Sequence, residues 1–314
     1  MGHRGIQGIR KQQGIALVTA ILIVALATIT ASAMTARQGV DIRRAQNLMD
    51  SDQATLYLVG AEDWALQLLE RDYEDDPKLD TLEDDWATVL PPIGVEGGQI
   101  AGKIEDLNGR FNLNNLVQGN RKIDEEVERF QRLLTILELP PELVFPVMDW
   151  IDNDEDPRLD NGAEDVAYLG SKQPYRTSNR SMRSPSELLR VKGFDREVYT
   201  KLAPYIYVAD EVTDININTA SEVIIRSLSK DVDQTAVSKL LEKRAEKPFN
   251  NVGDFVGDEV FAGTGIKPDG LSVQSQYFLL TADAQIGRVI RRRNIVVKRT
   301  EGKVTTIMRT EGEL

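Results

Sequence analysis

Twenty-two consecutive residues near the start of this 314-residue chain, Ile15 to Ala36, include no Asp, Glu, Lys or Arg. A helix of that length, rising about 1.5 Å per residue, is about 33 Å long, against a hydrocarbon core of about 30 Å. The run therefore predicts a membrane-spanning helix from which any folded body must hang. Arg4, Arg10 and Lys11 precede it, which places the N-terminus in the cytoplasm and the remainder on the far side. The helical pattern continues past the bilayer. From Arg37 to Asp76 there is no Pro, only Gly39 and Gly60 weaken a helix, and Ile42, Ala45, Met49, Leu56, Val59, Trp64 and Leu68 recur at loosely helical spacing. The helix is expected to end near Asp75, ahead of Pro77, in an acidic stretch (Glu62 to Asp85) that reads as a solvated helix end and loop.

Three kinds of segment begin this way. A cleaved secretory signal is one, with Ala31-Ser32-Ala33 as its cleavage site, although the run exceeds the usual apolar region of about 7–15 residues. An uncleaved signal anchor is another. The third is sharper: a basic leader, then Gly14, then an apolar helix resembles a type IV prepilin or pseudopilin leader. In that family a membrane peptidase cuts after the Gly, here between Gly14 and Ile15, and the long helix beyond the membrane suits this reading. Two positions depart from the family. Ile15 stands where Phe or Met is usual. Thr19, at mature position five, stands where Glu is usual.

Bulk chemistry narrows the function. The formal charge is -12, a balance that on average repels nucleic acid and anionic lipid and suits protein partners or divalent cations. There is no Cys, and the single His, His3, lies in the leader. Thiol catalysis, disulfides, a Ser-His-Asp triad and His- or Cys-based metal sites are excluded from the mature chain.

Beyond the long helix, Gly97 to Leu116 suggests a hairpin turning at Asn108-Gly109. Lys122 to Leu139 reads as a helix with Val127, Phe130, Leu133, Leu134 and Leu137 on one stripe, closed by Pro140-Pro141. A helical region runs on to about Phe261, and three alternating, Val-, Ile- and Thr-rich segments follow from Leu271. Early strands, a helical middle and late strands imply an α+β domain with a helical insertion, the strands joining in a small antiparallel sheet packed on the long helix.

Between Asp149 and Asp165 stand eight acids and one base, Arg158. Asp152, Asp154 and Asp156 alternate, and Glu164 and Asp165 follow. Alternate oxygens in a loop can wrap calcium at about 2.3–2.6 Å. The loop is not an EF-hand, because Pro157 and Ala163 fall where Gly and Glu are needed. It is either a calcium loop or an ordinary exposed acidic loop.

Asp214 to Phe255 is similar to the helix-hairpin-helix domain of competence-type DNA receptors, through Ile217-Asn218-Thr219-Ala220-Ser221, Leu240-Leu241, Arg244 and Pro248-Phe249. Thr219 or Ser221 is a natural N-cap. Ser186 to Ile206 looks like a degenerate sister unit turning at Gly193. A phosphate-binding hairpin needs Gly and a basic surface. Here Ser229 to Asp233 has no Gly, and Arg183 to Phe255 carries eleven bases against twelve acids. The pattern points to a packing or protein-interaction module.

Taken in order, the leader, Asp106 to Leu116 (DLNGRFNLNNL), DWIDNDEDP with GAEDVAY, the ININTAS segment and the C-terminal strands resemble the general secretion pathway protein K family, the large minor pseudopilins of type II secretion. The resemblance implies a type IV pilin-like fold with a large inserted α-helical domain of helix-hairpin-helix or SAM-like units. The implied boundaries are 1–14 leader, 15–36 transmembrane half-helix, 37–118 periplasmic helix and first strands, 119–270 insertion, and 271–314 C-terminal strands. It implies calcium at Asp152, Asp154, Asp156, Glu164 and Asp165, and no enzymatic activity. It implies cleavage and methylation at Gly14 and Ile15, and an assembly role for Thr19. The implied place is the pseudopilus tip, anchored in the inner membrane, initiating or capping the pseudopilus that exports folded proteins. The implied partners are minor pseudopilins I, J and H, major pseudopilin G, prepilin peptidase, the secretin and exoproteins, and no nucleic acid. A DNA-uptake pseudopilin is the alternative.

Overall fold

A computed structural model describes residues 10–158, 161–170 and 173–312; His3, Arg4 and Asp160 lie outside the described residues. Helix α1 runs unbroken from Arg10 to Asp75, ending where Pro77 approaches. Its residues Ile15 to Ala36 are uncovered. Higher up, Ala54, Leu58, Ala65 and Leu69 are buried against a sheet. This is not the stripe read from the sequence. Ile42, Met49, Leu56, Val59 and Trp64 are all exposed, and of that stripe Leu68 packs partly against the sheet core. Among the buried four, Ala54 and Ala65 let the strands close on the helix, where bulkier residues would hold them off.

The sheet has five strands, β1 (Leu90–Val95), β2 (Gly98–Asp106), β3 (Tyr277–Ile286), β4 (Val289–Thr300) and β5 (Lys303–Glu311). They lie side by side in that order, every neighbour antiparallel. The three C-terminal strands and an early hairpin thus form one sheet. The hairpin turn, however, is at Glu96-Gly97, not at Asn108-Gly109. Asn108 does other work. Its Oδ1 accepts from the amides of Gln276 and Tyr277, and its Nδ2 donates to the Asp214 carbonyl, so the chain is tied into the insertion instead of turning back. Pro91 and Pro92 sit inside β1, which tolerates them as an edge strand with an irregular register there. Ile104, Phe278, Leu280, Ile295 and Val297 pack with Trp86 onto Ala65 and Leu69.

Everything between β2 and β3 forms a second core. Helix α2 (Asp124–Ile136) buries Val127, Phe130, Leu133 and Leu134, and α3 (Val144–Ile151) buries Val147, Met148 and Trp150 beside them. Short helices α4 (Asp165–Leu169) and α5 (Arg196–Leu202) follow, then α6 (Glu222–Leu228), α7 (Gln234–Glu246) and α8 (Val252–Val256). The helix pair around Ser229 to Asp233 is α6–α7, and Ser221 is the cap that accepts from Ile224 N. In the sister unit Gly193 has φ +88° and sits against Leu143, but the first helix is a 3-10 turn, Pro185–Arg190. Two-residue parallel bridges, Phe111–Asn112 with Ile206–Tyr207 and Ile215–Asn216 with Leu271–Ser272, close the body.

The insertion leaves from one end of the sheet. At the membrane-near end Gly287 lies against Asp50, and Arg291 donates to Ser51 Oγ at 2.6 Å. At the other end Arg299 reaches Leu69 O and Asp72, and there β2 finishes and β3 begins. The helical body therefore sits beyond the membrane-distal end of the sheet.

Candidate functional site

The acidic loop starts on a helix that is held by its apolar residues. Val147, Met148 and Ile151 anchor α3 in the core, which carries Asp149 inside and delivers Asp152 at the helix end, both fully buried. Asp149 is satisfied locally: its carboxylate accepts from Arg158 N and from Ala163 N at 2.7 Å. Gly162 makes this closure possible, because a Cβ there would strike the Asp149 carboxylate and the Arg158 backbone. Asp152 Oδ2 is paired with the Arg158 guanidinium, but Asp152 Oδ1 is buried without a partner. Glu164 accepts from Thr177 Oγ1 at 3.1 Å through Oε2, and its Oε1 is likewise buried and unpartnered.

One carboxylate oxygen from each of Asp152, Asp154 and Glu164 lies within 4.8 Å of the others. Two oxygens bound to calcium at about 2.4 Å can be at most about 4.8 Å apart, so the spacing fits one ion. The electrostatics fit too. Burial, with repulsion from Asp154 and Asp149, pushes Asp152 up to about 6 against the relief given by Arg158. Burial, with repulsion from Asp149, Asp152 and Asp154, pushes Glu164 up to about 7 against the Thr177 hydrogen bond. One guanidinium, that of Arg158, leaves the cluster short of positive charge.

Two of the five expected ligands stand apart. Asp156 precedes Pro157, which holds it extended; its carboxylate is exposed, and its amide donates to Asp154 Oδ1. Asp165 is used by Arg176 and Thr177, whose hydrogen bonds hold its carboxyl below the usual range. Neutral oxygens unmarked in the sequence lie alongside. Asn179 donates to the Asp154 carbonyl at 3.0 Å, and its Oδ1, like Ser178 Oγ, is buried without a partner. Only a polar Ser-Asn pair signals them, and such pairs are common in loops.

A second acidic group, Asp72, Asp80 and Asp84, is equally tight but differently filled. Arg299 bonds both Asp72 and Asp80 while its guanidinium lies 5.4 Å from the Tyr73 ring centroid and 4.9 Å from that of Phe278. Asp84 accepts from Thr81 and Trp86. Its oxygens are taken, so it is a structural node. In the helix-hairpin-helix unit Arg244 is also spent internally, donating to the carbonyls of Ile217 and Ala220, and burial brings its guanidinium down to about 10. In the membrane segment, Thr19 Oγ1 donates to the carbonyls of Ile15 and Ala16 at 3.0 Å.

A long helix with an uncovered apolar half, laid on a small antiparallel sheet, defines a pseudopilin-type subunit, here with a helical body on the far end of the sheet. Two models of the type II secretion system protein K family match, over residues 109–211 and 215–274. A type II secretion system protein K of Pseudomonas aeruginosa is 31% identical over 318 residues, covering 97% of this chain and 94% of the relative. That of Klebsiella pneumoniae is 32% identical over 295 residues, covering 88% and 89%. The GspK-GspI-GspJ complex of enterotoxigenic Escherichia coli contains a chain of similar structure, with a TM-score of 0.77 at 26% identity, covering 86% of this chain and 100% of that one. The chain belongs to the type II secretion system protein K family and is a minor pseudopilin.

Proposed function

We propose that this chain is cut after Gly14 and methylated at Ile15, that it spans the inner membrane once with its body in the periplasm, and that it forms the tip of the type II pseudopilus. Its neighbours there are minor pseudopilins I and J, with H nearby and major pseudopilin G below. It initiates or caps the filament that drives folded exoproteins toward the secretin, and it has no catalytic activity of its own.

The observation that carries the tip reading is the placement of the insertion beyond the membrane-distal end of the sheet. A subunit stacked above would collide with it, whereas the exposed stripe of Ile42, Met49, Leu56 and Val59 leaves one side of α1 open to neighbouring helices. Thr19 supports the same place. A first subunit has no preceding amine to neutralise a buried Glu, and Thr19 satisfies its own hydroxyl within the helix.

The acidic loop is read as a structural calcium site held by Asp152, Asp154 and Glu164, the orphaned Asp152 and Glu164 oxygens being the observation in its favour. The ion would supply the missing positive charge and tie α3 to the segment before α4.

Mass spectrometry of the membrane-extracted N-terminus, in cells with and without prepilin peptidase, tests the processing. A mature chain starting at Ile15 only with the peptidase is expected; one starting at Met34, or an intact leader in both strains, overturns the reading. Thr19→Glu should let the protein enter below other subunits, and unchanged assembly counts against the tip argument.

A further inference from the structure

The sheet-facing side of α1 does not end where the sheet ends. Below the last buried position, Ala54, the same face continues downward as Ser51, Leu48, Asn47, Arg44, Arg43 and Val40. Together with Val289, Ile290 and Arg291 of the β3–β4 hairpin, it lines an open groove of about 730 Å³ on the membrane-near side of the body. Leu48 and Ile290 are among the most exposed large apolar side chains, Ile290 at 70%. Arg37, Arg43 and Arg44 make no ion pair among the described residues, and Arg288 at the hairpin tip is exposed. Asp41 borders this face, one heptad below Leu48 and beside Arg37 and Arg44, and Asp50 is against Gly287. Arg291 is paired with Glu311 at 3.3 Å, so in a chain of net charge -12 the excess positive charge of this partly apolar corner comes from Arg37, Arg43, Arg44 and Arg288.

Its place gives that combination a meaning. Basic residues flanking a span normally gather on the cytoplasmic side. Here three arginines fall within eight residues of the opposite end, Ala36. Arg37 emerges in the headgroup zone, which is about 5–8 Å deep. Arg43 and Arg44 follow about 10–12 Å along the helix, within reach of that zone through their own side chains. The hairpin, level with Asp50, stands about 21 Å along the helix and comes down only if the helix tilts toward its sheet side; spans tilt by up to about 40°.

We propose that this groove is a seat for the phosphate groups of anionic phospholipids, which draws the body of the unassembled subunit down against the bilayer with the hairpin entering the headgroups. The face differs from the exposed stripe of Leu56 and Val59, so lipid and neighbouring helices do not compete for one surface. A subunit held flat must be lifted off its lipid contacts to join the filament.

The proposal rests on the membrane span, and its test separates the two. The chain has no Cys, so Ile290→Cys carries a unique fluorescent label. The full mature chain is placed in nanodiscs of phosphatidylcholine alone or with about a third phosphatidylglycerol, each with headgroup spin labels. Quenching at position 290 should rise at least twofold with phosphatidylglycerol, and fall back in 1 M salt or with Arg37→Gln, Arg43→Gln and Arg44→Gln combined. A label at Ile307→Cys, exposed on β5, should stay unquenched. Equal quenching in the two discs, or no loss in the triple variant, overturns the proposal. Quenching that appears only when a second pseudopilin is added overturns it as well, by making the groove a protein seat. A chain that does not co-elute with discs refutes the span itself.

Discussion

Two clusters of carboxylates, similar in size, meet burial in opposite ways. Asp72, Asp80 and Asp84 close on Arg299, and beyond them Asp106 accepts from Ser275 Oγ at 2.6 Å, from Thr219 Oγ1 and from Asn108 N. This node joins α1, β4 and the start of the insertion with its charge supplied by the fold. Asp152, Asp154 and Glu164 have one arginine, Arg158, which serves Asp152 and Asp149 and leaves two buried oxygens empty. The difference separates an internal joint, complete on folding, from a cluster that the fold leaves short of partners. The candidate cation is therefore expected where partners are missing, not wherever three carboxylates converge.

The largest test breaks the joint. Arg299→Met should destabilise the body by about 3–5 kcal/mol, because it strands buried acids without their counter-charge. Urea unfolding of residues 37–314 measures it. Adding Asp80→Asn should recover part of the loss. A single variant as stable as the parent would mean that the node is solvated and the contrast false.

A somewhat smaller effect is expected at the loop. With calcium at about a hundred times its dissociation constant, binding should add about 2.7 kcal/mol, so chelator should lower Tm by several degrees. Glu164→Gln should remove that sensitivity, and Asp156→Asn should keep it, since Asp156 lies outside the cluster. If Asp156→Asn abolishes the calcium response, the loop wraps the ion differently. A chelator-insensitive parent removes the site.

The clusters also show what the sequence could reveal. Alternating Val, Ile and Thr marked β3 to β5 because each has one face on α1, and alternation reports that directly. The α1 stripe marked the helix but not its buried face, since the sheet covers Ala54, Leu58, Ala65 and Leu69, while Ile42, Met49, Leu56 and Val59 stand outside. Asn108-Gly109 carries a hairpin's composition but serves as a tie between bodies, through contacts with Asp214, Gln276 and Tyr277 that no local pattern encodes. At the acidic loop, alternation picked out Asp152 and Asp154. Asp156 and Asp165 share the composition but are diverted by Pro157 and by Thr177. Ser178 and Asn179 come from a segment brought back by the fold, so spacing could not find them.

The smallest expected effect concerns pH, and it sets the two clusters against each other. Burial pushes Asp106 up to about 6, against the hydrogen bonds from Ser275 and Thr219. An unfolded Asp titrates near 3.9, so the folded state takes up this proton first. Stability from Asp106 is then gained as pH falls through about 6 and lost as it rises, amounting to a little under 1 kcal/mol between pH 7.5 and 5.5. Asp106→Asn, a standing mimic of the protonated form, should flatten that part of the profile. The loop obeys the same sign without metal, since Glu164 and Asp152 are also raised. With calcium bound that response is suppressed, because the ion keeps the loop carboxylates unprotonated and protons must compete with it. Thermal melts at both pH values, with calcium and with chelator, should therefore show acid raising Tm more in chelator, Asp106 contributing equally to both. The same acid response in both would mean that the loop oxygens hold no cation, and that the two clusters differ only in geometry.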